Sequence, residues 1–119
     1  MNVKKICVVT GARSEFGLIV NLLREIKKSK KLKLFLVVTG MHLMKGFGNT
    51  YKEIQNEGFK IFKKVKLSES ILNKSYVAKS VGNGVIKFSK IFKEIKPDLV
   101  CIPCDRYEML GPAISSYLA

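Results

Sequence analysis

Val8-Val9-Thr10-Gly11-Ala12-Arg13-Ser14-Glu15-Phe16-Gly17 joins two kinds of apolar pattern. Before it, Ile6-Cys7-Val8-Val9 is a continuous apolar run of the kind a buried strand shows. After it, Ile19, Leu22, Leu23 and Ile26 fall on one face of an amphipathic helix. A strand, a Gly-containing turn and a helix make the first step of a βαβ unit. In open sheets of such units, ligands lie outside the carboxyl ends of the strands. The turn places a cation, Arg13, and a carboxylate, Glu15, at that rim. The N–H groups of the first helical turn point the same way, toward where an anion would sit. The same residues admit a plainer account, in which Gly11 serves the turn, Glu15 favours the helix N-terminus and Arg13 is solvated.

The unit repeats along the chain. Leu34-Phe35-Leu36-Val37-Val38 predicts a second buried strand, ending in the turn Thr39-Gly40-Met41-His42 and a Gly-punctuated loop to Gly48. Asn49-Thr50 can cap a short helix from Tyr51 to Asn56 that stops at Gly58. Phe59 to Val65 partly alternates, as a strand with one wetter face would, and Leu67 to Lys74 is loop-like. A long helix is expected from Tyr76 to Lys96, with Val77, Val81, Val85, Phe88, Ile91, Phe92 and Ile95 at helical spacing. Gly82 and Gly84 inside it each cost about 1 kcal/mol relative to Ala, which suggests close packing or ligand approach. Pro97 ends that helix, Asp98 to Pro103 reads as a fourth strand, and Cys104-Asp105-Arg106-Tyr107-Glu108 forms its carboxyl-end turn before a helix from Met109 to Leu118. Strands and helices in strict alternation predict an α/β, Rossmann-like, doubly wound parallel sheet. The common order 3-2-1-4 then brings Arg13, Glu15, His42, Asp105 and Arg106 to one rim. Two arginines beside a carboxylate and an imidazole could hold a phosphorylated substrate and move a proton.

Composition narrows the function classes. At 119 residues and 47% hydrophobic content the chain suits one core, and no apolar run approaches a membrane span. Three cysteines and an N-terminus that leads straight into a strand fit a cytoplasmic location. Gly11 and Gly17 do not make a dinucleotide fingerprint, no phosphate-loop Gly-Lys-Ser/Thr is present, and the second strand ends without a ribose-binding acid. His42 has no nearby His or Cys, which argues against a metal, and no cofactor is expected. Cys101 and Cys104 are spaced like a redox pair, but on an extended segment they face different ways. A buried Cys101 and a rim Cys104 are therefore expected.

With these residues in view, the chain resembles the hydrolysing UDP-N-acetylglucosamine 2-epimerases that begin sialic acid and related sugar biosynthesis. Gly11-Ala12-Arg13-Ser14-Glu15-Phe16-Gly17 is similar to the family's Gly-Thr-Arg-Ala-Glu-Tyr-Gly. Val38-Thr39-Gly40-Met41-His42-Leu43 matches Thr-Gly-Met-His-Leu, and Phe47-Gly48-Asn49-Thr50-Tyr51 matches Phe-Gly-x-Thr-Tyr. Lys96-Pro97-Asp98 followed by Asp105-Arg106-Tyr107-Glu108 is similar to Lys-Pro-Asp and Gly-Asp-Arg-Tyr-Glu. The resemblance implies the N-terminal half of a GT-B-type fold, with a UDP-sugar in the cleft between two domains. It implies conversion of UDP-N-acetylglucosamine and water to N-acetylmannosamine and UDP, by loss of the C2 proton and UDP followed by addition of water to the glucal. By matching position, Asp105 would be an acid/base carboxylate and His42 a further catalytic candidate. Arg13 and Arg106 would contact the diphosphate, and Glu15 and Gly17 would border the substrate.

The sequence departs from that pattern in two places. Cys104, with Pro103 before it, stands where the family has Gly, and the chain stops where the next strand would follow. A truncated N-terminal half-domain over residues 1–119, lacking its C-terminal partner and inactive alone, is the expectation. A homo-oligomer is expected of the full-length enzyme. The competing readings are a relative acting on a diacetamido UDP-sugar and a non-catalytic nucleotide-binding remnant.

The net charge of +13 also raises nucleic acid as a partner, with blocks such as Lys27-Lys28-Ser29-Lys30-Lys31-Leu32-Lys33. No aromatic stacking run or zinc-finger spacing accompanies these lysines, and most fall on predicted solvent faces. Random duplex DNA titrated at physiological salt should therefore bind with a Kd weaker than about 1 μM. Tighter binding with a steep salt slope would reverse this assignment.

Overall fold

The computed structural model describes residues 3–43, 50–67, 76–103 and 106–119. Its strands are β1 (Lys4–Thr10), β2 (Leu32–Thr39), β3 (Ile61–Val65) and β4 (Leu99–Cys101). Its helices are α1 (Arg13–Lys28), α2 (Tyr51–Asn56), α3 (Tyr76–Ile95) and α4 (Leu110–Leu118). Single 3-10 turns, Gly40–Leu43 and Tyr107–Met109, follow β2 and precede α4. The sheet order is β3-β2-β1-β4 and all pairings are parallel, as expected for a doubly wound α/β domain.

The alternation along β1 builds both cores. Ile6 and Val8 point to one face, where Phe16, Ile19, Leu23 and Ile26 of α1 and Ile54 of α2 cover them. Cys7 and Val9 point to the other, against Phe88, Ile91, Phe92 and Ile95 of α3. The α1 stripe differs by one residue from the sequence pattern. Leu22 is largely exposed, and Phe16 takes its place in the buried set.

Element ends differ for local reasons. β3 begins at Ile61 rather than Phe59, because Phe59 turns inward against Phe16 with ring centroids 6.0 Å apart. α3 stops at Ile95, where Lys96 takes a left-handed φ of 53° and its N–H closes on the Phe92 carbonyl at 2.8 Å. The Lys5 ammonium caps the free Ile95 carbonyl at 3.0 Å. Lys5 and Asp98 also exchange bonds, N–H to carboxylate at 2.7 Å and N–H to carbonyl at 2.8 Å, which pins the entry of β4 to the start of β1. The helix expected from Met109 starts instead as the 3-10 turn Tyr107–Met109. The loop assigned to Leu67–Lys74 lies outside the described residues apart from Leu67, which is buried.

Lysines decorate the β3 edge, with Lys63 and Lys64 exposed and the Lys64 ammonium 3.9 Å from the centre of the Tyr51 ring. Charge on an edge strand discourages pairing with another chain. Part of the basic excess thus has a structural use. Cys7 is buried and its thiol is pushed up to about 12 by desolvation, with Cys101 adding to the shift. Cys101 is only half-buried rather than buried, and Cys104 lies outside the described residues.

The two α3 glycines separate in role. A Cβ on Gly84 would lie 3.2 Å from the Gly111 Cα, whereas one on Gly82 would meet nothing within 4 Å. On Gly111 the added atom would come within 2.7 Å of the Gly84 Cα, and backbone cannot yield there. The Ser115 hydroxyl donates to the Val85 carbonyl at 2.8 Å in the same seam. Gly111→Ala should therefore destabilise the fold by about 1–3 kcal/mol in urea or thermal unfolding. Gly82→Ala should be neutral or stabilising by up to about 1 kcal/mol.

Candidate functional site

The turns after β1 and β2 touch. The His42 N–H donates to the Gly11 carbonyl at 3.3 Å, and a Cβ on Gly40 would stand 3.0 Å from that carbonyl oxygen. Gly40 also has a φ of 60°, so both conformation and space exclude a side chain there. The turn that follows β4 packs over this contact. A Gly40 Cβ would meet Glu108 Cγ at 3.5 Å, and one on Gly11 would meet the Met109 methyl at 2.8 Å. Three loops far apart in sequence thus share one rim, as the strand order required.

His42 is fully buried between two hydroxyls. Its Nε2 is 3.0 Å from Thr10 Oγ1 and its Nδ1 is 2.7 Å from Thr50 Oγ1. A neutral imidazole offers one donor and one acceptor, and a threonine hydroxyl can answer either, so both tautomers are satisfied. Burial lowers the imidazole pKa to about 4, which leaves the ring neutral near pH 7. Thr10 and Thr50 were not among the sequence candidates. Thr50 stands at the N-cap of α2 as expected, but its side chain makes no cap bond and the hydroxyl turns to His42 instead.

Two carboxylates are buried at the rim. Glu15, 4% exposed, accepts the Gly11 N–H through Oε1 at 3.0 Å, while its Oε2 has no hydrogen-bond partner among the described residues. Glu15 thus reaches back past the α1 N-cap, Ala12, to hold the turn that precedes the helix. Glu108, 5% exposed, holds the Arg106 guanidinium by Nε and Nη2, each at 3.0 Å. Those bonds raise the Arg106 pKa above its usual range, and the charges of Glu108 and Glu15 add to the shift. Sequence patterning did not single out Glu108, because a carboxylate after a turn looks solvated until its burial is known.

The remaining candidates divide. Arg13 is the first residue of α1, so its backbone starts at this rim. Asp105 lies outside the described residues, directly before Arg106. Gly17 is not brought to the others. It borders a groove of about 450 Å³ between α1 and α2, lined also by Val20, Arg24 and Glu53. Another groove, of about 740 Å³, runs along the free flank of β4, by Phe92, Pro97, Leu99 and Leu118, away from the rim. Among the described residues there is no cluster of three or more His, Cys, Asp or Glu able to hold a metal. Among the described residues no helix is long and apolar enough to cross a membrane.

A parallel sheet of order β3-β2-β1-β4 with helices between its strands defines the broad class, a doubly wound α/β domain. The family model for UDP-N-acetylglucosamine 2-epimerase matches residues 24–119, and the chain belongs to that family. It is 44% identical over 113 residues to the GDP/UDP-N,N'-diacetylbacillosamine 2-epimerase (hydrolyzing) of Campylobacter jejuni, covering 95% of this chain and 29% of the relative. It is 37% identical over 110 residues to the UDP-N-acetylglucosamine 2-epimerase of Neisseria meningitidis, covering 92% and 28%. Among solved structures, a UDP-N-acetylglucosamine 2-epimerase superposes with a TM-score of 0.80 at 20% identity, covering 98% of this chain and 31% of the other. The chain thus spans under a third of the length of these relatives.

His42 gives the site a measurable acid response. A group whose pKa falls from 6.5 to about 4 on folding binds its proton more readily in the unfolded state. Its contribution is complete above pH 6.5 and is lost as the pH falls toward 4. Between pH 7 and pH 5 it should remove about 2 kcal/mol. His42→Gln should unfold with a correspondingly shallower pH dependence over that interval. Equal slopes in the two proteins would show that the imidazole is not held neutral.

Proposed function

We propose that this chain is the N-terminal Rossmann-like half of a two-domain, hydrolysing UDP-N-acetylhexosamine 2-epimerase. The observation that carries the reading is the meeting of the β1, β2 and β4 turns at one rim, where Arg106 is held by a buried carboxylate beside Asp105 in sequence. Family membership supplies the reaction class.

In this proposal a UDP-sugar lies across the rim with its diphosphate against Arg13 and Arg106. Asp105 moves the proton at C2 while the bond from C1 to the UDP oxygen breaks. That elimination yields a 2-acetamidoglucal, and water then adds at C1 with a proton returned to C2 on the opposite face. Guanidinium groups suit the departing diphosphate because they neutralise charge as it develops. In this proposal His42 holds the β1 and β2 turns in place rather than carrying a proton, a role supported by its burial between Thr10 and Thr50. Glu15 borders the substrate from beneath, through the order it gives to the Gly11 turn.

A second reading concerns the sugar. The higher identity to the Campylobacter jejuni protein favours a 2,4-diacetamido sugar nucleotide over UDP-N-acetylglucosamine. UDP release should be followed with both substrates on a polypeptide completed to the length of the relatives. The chain by itself should release no measurable UDP, since one wall cannot position sugar and nucleotide together. In the completed protein, Asp105→Asn should lower kcat by about 100- to 10,000-fold with a smaller change in KM. Full activity in that variant would overturn the assignment of Asp105. The ratio of kcat/KM for the two sugars decides between the readings.

A further inference from the structure

We propose that Glu108 is a positioning residue that presents the outer fork of Arg106 to a nucleoside diphosphate. This rests on the reading of Arg106 as a diphosphate contact and adds a residue, Glu108, to which that reading gave no role.

The guanidinium carries five N–H donors in a planar array. Glu108 takes one on Nε and one on Nη2, and among the described residues no other acceptor meets the one left on Nη2 or the two on Nη1. The unused Nη1 and Nη2 donors form a second parallel fork, of the shape that matches two oxygens of a phosphate. The two ends of the ion pair differ sharply in exposure. The Glu108 side chain is 6% exposed, whereas that of Arg106 is 43% exposed. The carboxylate therefore acts as an internal anchor and the guanidinium as the part that meets solvent.

The anchor is itself fixed. Glu108 Cγ lies where a side chain on Gly40 would reach, and Met109 covers Gly11, so the turn Tyr107–Met109 is seated on both glycine turns. The charge of Glu15 favours the same cation from nearby. A freely rotating arginine loses side-chain entropy when it binds an anion, and a guanidinium already held in plane loses less. A surface ion pair serving only to tie down the turn would need neither a buried partner nor a free outer fork.

The test uses the polypeptide completed to the length of the relatives, with UDP as the probe. The Arg106 Nε–H resonance should exchange slowly with water in the wild type and about tenfold faster in Glu108→Gln. Glu108→Gln and Arg106→Ala should each weaken UDP binding by about tenfold, and the double variant should be no weaker than either single one. Arg106→Lys leaves the buried carboxylate in place but cannot fork, and should not restore affinity. Glu108→Gln is nearly isosteric, and its melting temperature checks the fold.

If Glu108→Gln binds UDP like the wild type while Arg106→Ala loses affinity, the positioning role is overturned and the diphosphate contact stands. Independent, multiplying losses in the double variant would overturn it equally. Wild-type affinity in Arg106→Ala, or no UDP uptake by the wild type, would overturn the diphosphate contact and this proposal together.

Discussion

The contact between the turns after β1 and β2 is what the rim depends on. A carbonyl of Gly11 meets the N–H of His42 across a gap that a side chain on Gly40 would close. Because that gap is narrow, the two strands can end level with each other and the β4 turn can lie across both. His42 locks the arrangement from below by joining a hydroxyl of β1 to one at the start of α2. Its neutral, buried ring is the natural consequence of that position. Each ring nitrogen faces a threonine hydroxyl.

A second close approach, far from the rim, sets where the β4 turn goes. Gly84 and Gly111 allow the backbones of α3 and α4 to touch, and Ser115 ties α4 to the Val85 carbonyl. Gly111 lies three residues after Glu108, so the seating of α4 on α3 also fixes the height of the Tyr107–Met109 turn. Packing on the α3 face of the sheet is in this way coupled to the charged groups at its end. Met109 belongs to both, since it sits in the α3-side core and covers Gly11.

The charges divide by location rather than by number. Lysines lie mostly on exposed edges and helix faces, where several cover aromatic rings and others cap carbonyls, as Lys5 caps Ile95. Lys87 likewise donates to the Lys66 carbonyl. At the rim the pattern inverts, with two buried carboxylates, Glu15 and Glu108, flanking one described guanidinium. A strongly basic chain thus carries a locally acidic floor beneath its arginine.

The sequence by itself determined the order of elements, their parallel winding and the sheet order, because these follow from periodicity, turn chemistry and the handedness of crossovers. It also marked Arg13, Glu15, His42, Asp105 and Arg106, through turn position and motif resemblance, and the meeting of the β1 and β2 turns with the Tyr107–Met109 turn followed from the sheet order. What it did not contain was the state of those side chains. That Glu15 caps Gly11, that His42 spans two threonines, and that Glu108 anchors Arg106 are facts of burial and close approach between distant segments. The same holds for Leu22 against Phe16 and for Gly82 against Gly84, pairs that local pattern treats alike. Periodicity assigns a residue to a face. Only the packing of neighbouring elements decides how much of that face is covered, and which polar group is left to meet a partner.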